Sequence, residues 1–251
     1  MKIAVLFDGA GLARKGLEEA GHECVGVELD PRKHHLSKAL GSGNSVLCGV
    51  KDFDLSGFDA VWASPPCSTR SSAIKDLTGN GGLRDPVYQQ DHLGWSLSIQ
   101  KPILWVENVT IQGSKGNDWG TAYNAAQFTE VPIQNRNRII GGSHPAPKVF
   151  RPYKRWAGHG ICPCISATEW KGCATDRLRA SRFYGRKLTI QECAHHMGLV
   201  IPPSWFDIPD WFLPDVKQKS RAVHWGRNLY EAIGNGVPVY MARAFGEVAN
   251  V

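Results

Sequence analysis

The chain has 251 residues and a formal net charge of +6, with 42% hydrophobic and 21% charged residues. This composition is typical of a globular protein and excludes a disordered, collagen-like or coiled-coil chain. No apolar run approaches the length of a transmembrane helix, and Asp8 interrupts the N-terminal run too early for a secretory signal. The odd count of seven cysteines fits a reducing compartment, so we expect a cytoplasmic protein without membrane contact.

Strand-like and helix-like segments alternate in the first half of the chain. The apolar run Lys2–Phe7 predicts a buried strand, and a glycine-containing turn and a helix from Leu12 to Ala20 follow it. Asp30 and Pro31 predict the start of a second helix. Further strands are predicted at Cys24–Leu29, Ser45–Leu47, Ala60–Ala63 and Ile103–Val106. This alternation predicts an α/β fold with a largely parallel sheet that binds ligands beyond the carboxyl ends of its strands.

The regular pattern fades after Gly142. Residues 143–186 carry nine Lys and Arg against two Asp and Glu, whereas residues 1–142 sum to −1 and residues 187–251 to zero. We expect these three ranges to be a catalytic and cofactor-binding domain, a small basic region and a C-terminal segment that returns to the catalytic domain. A concentrated basic block indicates a polyanionic partner, with nucleic acid the first candidate; a solvated basic face is the alternative.

The C-terminal segment contains two clear helix starts. Thr189 and Glu192 form a predicted capping box that opens a helix through about Met197. The proline- and tryptophan-rich stretch Ile201–Val216 predicts a packed loop. Val237 and Pro238 predict the start of a last helix, whose buried side contains Val239, Ala242 or Ala244, Phe245 and Val248.

Residues suited to chemistry follow the predicted strands. Gly9 and Gly11 form a G-x-G turn, and Glu28 ends the second strand, where a carboxylate can bind a ribose. Arg14 stands where a dinucleotide-binding turn has its third glycine, which favours an adenosine-type cofactor without a pyrophosphate, such as S-adenosylmethionine, over a dinucleotide. An ordinary tight turn is the alternative. Cys67 follows the strand Ala60–Ala63 and is either a nucleophile or a small buried hydrophobe.

Two further polar groups lie in comparable positions. Glu107 falls near the end of a strand and is a proton donor, a hydrogen-bond partner or a simple cap. Arg136 and Arg138 are two residues apart and hence predicted on one face of a strand, as suits an anionic or carbonyl-rich ligand.

In this order these motifs resemble the cytosine-C5 DNA methyltransferase family over nearly the whole chain. The residues that carry the resemblance are Phe7-Asp8-Gly9-Ala10-Gly11, Glu28, Asp52, Pro65-Pro66-Cys67, Glu107-Asn108-Val109, Gln134-x-Arg136-x-Arg138, Arg186-x-Leu188-Thr189-x-x-Glu192 and Gly234-Asn235-Gly236-Val237-Pro238-Val239. The chain departs from the family pattern at Leu12-Ala13 and at Ser68-Thr69-Arg70.

The resemblance implies a Rossmann-like S-adenosylmethionine-dependent methyltransferase fold with a small irregular target-recognition lobe. It implies that Cys67 attacks carbon 6 of a cytosine flipped out of double-stranded DNA, with Glu107 holding the base and Arg138, supported by Arg136, contacting its carbonyl. The implied S-adenosylmethionine pocket contains Phe7, Gly9, Ala10, Gly11, Glu28, Leu29, Asp52, Pro66, Asn235 and Val237. The implied protein is a monomer of a bacterial cell or phage-infected host, with a role such as restriction-modification.

The sequence leaves alternatives open for a metal site, a loop, three arginines and the substrate. His159, Cys162, Cys164 and Cys173 are either a zinc set or free structural thiols, and we assign no metal site. The segment Thr69–Asp85, with Arg70 and Arg84, is a loop that closes over substrate or a plain surface loop. Arg177, Arg179 and Arg182 read guanine or hold phosphates. An RNA cytosine methyltransferase and a non-catalytic DNA-binding relative are the alternative functions.

Overall fold

The computed structural model describes residues 1–67, 91–109, 118–131, 133–152, 161–171 and 180–249. Its strands, in chain order, are β1 (Lys2–Leu6), β2 (Glu23–Glu28), β3 (Ser45–Leu47), β4 (Ala60–Ala63), β5 (Ile103–Val109), β6 (Gly120–Asn124), β7 (Gln134–Asn135), β8 (Asn137–Gly141) and β9 (Cys162–Pro163). Its α-helices are α1 (Leu12–Glu19), α2 (Pro31–Lys38), α3 (His92–Leu97), α4 (Ala180–Phe183), α5 (Ile190–His196), α6 (Gln218–Asn235) and α7 (Val239–Ala249).

Seven strands form one central sheet in the order β3-β2-β1-β4-β5-β8-β6. The strands from β3 to β5 pair in parallel, and β8 runs antiparallel between β5 and β6. A separate parallel ribbon joins β7 to β9. The α/β fold predicted from the sequence is confirmed, because parallel strands connected by helices on both faces give this architecture.

Alternate residues of the sheet face two different cores. Ile3 and Val5 of β1 pack with Trp62, Trp105 and Phe245 under α1 and α7. The intervening side chains of β1, β4 and β5 pack on the other face, and they are Ala4, Leu6, Val61, Ala63, Leu104 and Val106. A strand that is buried on both faces consists of a continuous apolar run, which is why these strands could be predicted from the sequence. No helix among the described residues is long and apolar enough to span a membrane.

A third core joins α2, α5 and α6 to the loop between α5 and α6. Trp205 and Trp225 are fully buried there, and their indole nitrogens donate to the carbonyls of Leu36 and Trp205. The predicted packed loop at 201–216 is thus confirmed, apart from one short 3₁₀ turn at Pro203–Phe206. The capping box of Thr189 and Glu192 is also confirmed at the start of α5.

The last helix returns the chain to its beginning. α7 packs on α1, and Nε2 of His22 lies 3.0 Å from the carbonyl oxygen of Gly246. Val239, Ala242 and Phe245 form its buried side as predicted, whereas Val248 is only half-buried. The expected start at Val237 needs a correction, because α6 ends at Asn235 and α7 begins at Val239.

A buried ion cluster holds α1 against α2. Arg14 is fully buried and donates from Nε to Asp8 at 3.2 Å and from Nη1 to Glu18 at 2.7 Å. Its second terminal nitrogen donates to the carbonyl oxygens of Ser37 and Leu40. Two carboxylates thus share one guanidinium, and burial raises the pKa of Asp8 to about 6 although Arg14 acts against this.

Asp8 therefore gives stability a measurable pH dependence. The folded chain holds this proton up to about pH 6 while the unfolded chain releases it near 3.8, so the folded state loses stability as the pH rises between these values. We expect the free energy of unfolding of the wild type, relative to Asp8→Asn, to fall by on the order of 3 kcal/mol between pH 4 and pH 7 in urea titrations. In Glu18→Gln the guanidinium serves Asp8 alone and the fall shrinks. A relative stability that rises with pH would contradict this account.

Candidate active site

The carboxyl ends of the central strands meet at one edge of the sheet. Leu6 at the end of β1 pairs with Val27 of β2 and with Ala63 of β4, and Ala63 pairs with Val106 of β5. The segments after β1, β2 and β4 therefore leave the sheet side by side, next to the last residues of β5. The glycine turn, Glu28, Cys67 and Glu107 all lie at this edge, which is where parallel α/β sheets bind ligands.

The glycine turn after β1 has an unusual backbone. Phe7, Gly9 and Gly11 all have positive φ, at 57°, 59° and 88°. For Phe7 this conformation is strained, because a side chain at positive φ crowds its own backbone. A Cβ atom added to Gly9 would meet no atom of the described residues within 4 Å, so among them open space lies directly over the turn. The turn can therefore be approached closely by a ligand.

Glu28 organises the backbone beside that space. Its Oε2 accepts from the amide of Gly9 at 2.8 Å, and its Oε1 accepts from the amides of Leu29 and Asp30 at 2.9 Å. The buried carboxylate thus stands beside the open face of Gly9. A carboxylate at this position can accept hydrogen bonds from a ribose hydroxyl pair, so the groups present fit an adenosine-type cofactor.

The other residues of the expected cofactor pocket are spread around this edge. Ala10 is buried, whereas Leu29, Asp52, Pro66 and Asn235 are exposed. Val237 is buried in the core under α7, and the preceding Gly236 packs against Leu12 at the start of α1. The structure thus brings the turn Gly234–Gly236, which is the end of α6 and the residue after it, to α1. The side chains of Asp52 and Asn235 face solvent.

Cys67 lies on a turn that β5 fixes in place. The amide nitrogen of the Asn108 side chain donates to the carbonyl of Pro65 at 3.0 Å, and the backbone amide of Ser64 donates to Leu6 at 3.2 Å. The Cys67 side chain is half-buried. This role of Asn108 was not predicted from the sequence. A polar residue inside an apolar strand nevertheless indicates a buried hydrogen bond.

Glu107 and Arg138 form a buried ion pair on neighbouring strands. Nε of Arg138 lies 2.7 Å from Oε1 of Glu107, and both side chains are more than nine-tenths buried. Val109 lies opposite Arg138 and Ile140 opposite Glu107, so the two charged residues are diagonal neighbours on one face of the sheet. Arg138 also donates from Nη1 to the carbonyl of Asn137.

The thiol of Cys67 responds to this pair. Burial raises the pKa of Cys67, the positive charge of Arg138 lowers it, and the negative charge of Glu107 raises it again. The net direction is upward, so the thiol is protonated at neutral pH. A group that neutralises or engages Glu107 would favour the thiolate.

Arg136 and Gln134 face away from Glu107. The side chain of Arg136 is fully buried and donates to Cys164, Ile165, Gly234 and Gly236. Gln134 donates to the carbonyl of His196 at 2.7 Å. The two arginines were expected on one face of a strand, but Arg136 lies between β7 and β8, and only Arg138 has its hydrogen bonds at the ion pair.

Several expected residues lie outside the described ranges. These are the segment Thr69–Asp85 with Arg70 and Arg84, and also His159, Cys173, Arg177 and Arg179. Within the described ranges, no group of three or more His, Cys, Asp or Glu side chains is placed to hold a metal ion. Of the proposed zinc set only Cys162 and Cys164 are described, and Cys164 accepts a hydrogen bond from Arg136.

The reactivity of Cys67 tests these electrostatics. We expect its alkylation by iodoacetamide, followed peptide by peptide in a mass spectrometer, to have an apparent pKa above that of a free cysteine, about 8.5. Glu107→Gln should lower this apparent pKa, because it removes the nearby negative charge, and Arg138→Met should raise it. An upward shift in Glu107→Gln would refute the assignment of charges around the thiol.

Comparison with known proteins gives structural likeness only. No family model and no curated protein matches the sequence. The fold is similar to S. pombe Dnmt2 methyltransferase, with a TM-score of 0.55 and 13% identity over 99% of this chain and 96% of that one. It is similar to Entamoeba histolytica methyltransferase EhMeth, with a TM-score of 0.55 and 12% identity over 97% and 96%. A mutant of Spodoptera frugiperda DNMT2 gives 0.53 and 14% over 96% and 97%. The chain thus has the Rossmann-like fold of these methyltransferases.

Proposed function

We propose that the chain is a DNA cytosine-5 methyltransferase that uses S-adenosylmethionine. The observation that carries the proposal is the shared edge of the sheet. There a half-buried thiol follows β4 and an open glycine turn follows β1, while Glu107 lies near the end of β5 and is paired with Arg138 of β8. The strands β1, β4 and β5 are adjacent in the sheet. The methyltransferase-like fold supports the same reading, although fold alone does not define a reaction.

The reaction needs a nucleophile because carbon 5 of cytosine is itself unreactive. The Cys67 sulfur forms a bond to carbon 6, and the electron pair of the 5,6 double bond moves towards carbon 5. Carbon 5 then takes a methyl group, which S-adenosylmethionine supplies as an electrophile. Loss of the carbon 5 proton to water and cleavage of the bond from carbon 6 to sulfur restore the aromatic ring and release Cys67 as a thiolate.

Glu107 and Arg138 have complementary roles in this scheme. Glu107 holds the base at N3 and at its exocyclic amine, which stabilises the charge that develops on the ring during attack. Arg138 fixes the Glu107 carboxylate and directs guanidinium donors towards the base carbonyl. When the base engages Glu107, the influence that raises the pKa of Cys67 weakens, so the thiolate forms where the substrate is bound.

The cofactor would lie over the glycine turn. The open face of Gly9 would accommodate its methionine part, and Glu28, which lies beside that face, would accept from its ribose hydroxyls. The turn Gly234–Gly236 closes this end of the sheet, because Gly236 contacts Leu12 at the start of α1. The strained backbone of Phe7 is consistent with a ligand site, where such conformations are concentrated.

The basic segment 143–186 supports nucleic acid as the substrate. Lys171 and Arg182 are exposed among its described residues, and Arg186 is paired with Glu192. A cytosine inside a stacked duplex cannot reach Cys67, so the enzyme must flip the base out of the helix. We assign double-stranded DNA as the polymer because the resemblance in sequence is to DNA enzymes.

Methyl transfer tests the proposed function directly. We expect radiolabelled methyl groups to move from S-adenosylmethionine to duplex DNA with the wild type and with Cys48→Ala, and not with Cys67→Ala. DNA that contains 5-fluorocytosine should trap the wild type covalently, because fluorine blocks the loss of the carbon 5 substituent. Transfer to RNA alone would overturn the choice of DNA, and the absence of transfer to either polymer would overturn the enzymatic assignment.

Salt dependence tests the role of the basic segment. Each phosphate contact contributes about 0.9 to the slope of log binding constant against log salt concentration on duplex DNA. We expect the double variant Lys171→Gln and Arg182→Gln to flatten the slope by up to about 1.8 while S-adenosylhomocysteine affinity stays constant. The charge-matched control is Lys15→Gln with Arg243→Gln, on α1 and α7. Equal slopes in both double variants would place the DNA contacts elsewhere.

A further inference from the structure

Arg136 joins three parts of the molecule through one side chain. Its Nη1 donates to the Cys164 sulfur at 2.9 Å and to the carbonyl of Ile165 at 2.7 Å. Its Nη2 donates to the carbonyls of Gly234 and Gly236 at 2.9 Å and 2.7 Å. The guanidinium therefore connects residues 161–171, the recognition segment of this proposal, to the turn Gly234–Gly236. Two residues further along the chain, Arg138 holds Glu107.

The contact between these parts leaves no free space. A Cβ atom on Gly234 would lie 2.3 Å from the backbone nitrogen of Ala167 and 2.3 Å from the carbonyl carbon of Ser166. The recognition segment thus rests directly on the last turn of α6. Because the backbone of both partners is in contact, neither can shift without moving the other or breaking the hydrogen bonds of Arg136.

The cost of disturbing Arg136 is high. Its side chain is fully buried, and the four hydrogen bonds are its means of compensating for lost hydration. Burial lowers the pKa of Arg136, and so does the nearby charge of Arg138. A guanidinium can bridge one sulfur and three carbonyl acceptors at fixed angles, which an ammonium group cannot. Its role here is therefore to fix the geometry of these groups.

We propose that Arg136 is a positioning residue that couples the cofactor site to the recognition segment. A ligand that orders the turn Gly234–Gly236 orders Cys164 and Ile165 through the guanidinium, and nucleic acid on the segment stabilises the turn in return. This coupling rests on the proposed function, because it assumes that S-adenosylmethionine or its product lies against that turn. It assigns Arg136 a role other than contact with the base.

Hydrogen–deuterium exchange with S-adenosylhomocysteine as the probe tests the coupling without nucleic acid. In the wild type we expect the ligand to slow amide exchange in two peptides, 234–239 and 161–171, by about fivefold or more, the lower end of usual coupling between sites. In Arg136→Lys the first peptide should still be protected by the ligand, and the second should exchange at the ligand-free rate.

Two further variants keep the test decisive if Arg136→Lys folds poorly. Gly234→Ala leaves Arg136 in place but drives its new Cβ into the backbone of Ser166 and Ala167, so protection should again stop at the turn. Arg186→Gln removes an exposed charge near the recognition segment and should transmit as the wild type does.

The outcomes separate the coupling from the proposed function. Protection of 234–239 without protection of 161–171 in the wild type would overturn the coupling and leave the proposed function standing. Equal transmission in the wild type and in Gly234→Ala would overturn it as well. Absence of any protection by S-adenosylhomocysteine would overturn the proposed cofactor, and the coupling with it.

Discussion

Parallel pairing of β1, β4 and β5 is the constraint on which the candidate site depends. The register places Leu6, Ala63 and Val106 side by side, so residues that are far apart in sequence leave the sheet at one edge. No single segment contains the site, and each strand supplies one component within a few residues of its end. Because the sheet is buried on both faces, this alignment is maintained by two apolar cores rather than by the polar groups themselves.

Three buried arginines show how the protein uses costly charges. Arg14 serves Asp8 and Glu18, Arg138 serves Glu107, and Arg136 serves four uncharged acceptors. Removing a charge from water costs several kcal/mol unless partners compensate, so each guanidinium must be held by its neighbours. The first joins the glycine turn to α2, the second holds the Glu107 carboxylate, and the third joins residues 164 and 165 to the end of α6. Arginine side chains therefore hold the main polar groups around this edge of the sheet in place.

The local sequence pattern predicted much of the sheet. It predicted little of the contact that Arg136 makes between residues 164 and 165 and the end of α6. The strands at Ser45–Leu47 and Ala60–Ala63 were predicted at their observed bounds, because apolar runs between turn residues are legible without tertiary context. Helix α6 was not recognised, since its N-terminal half is polar and exposed and its apolar side faces a core that forms only on folding. The spacing of Arg136 and Arg138 predicted one shared face. The break between β7 and β8 turns Arg136 towards carbonyls that only the folded chain brings close, and no sequence period encodes such a contact.

The same break explains how one short motif can serve two sites. Gln134 donates to His196, and Arg136 donates to Cys164 and Ile165. Arg138 instead reaches Glu107. Residues with different partners are thus adjacent in the chain and only a few backbone bonds apart. A shift of Cys164 and Ile165 would therefore move Arg136 and, through β8, the support of Glu107. The thiol of Cys67 is protonated in the free protein. Its pKa depends on the charges of Glu107, Arg138 and Arg136, so it would respond to a movement at either arginine.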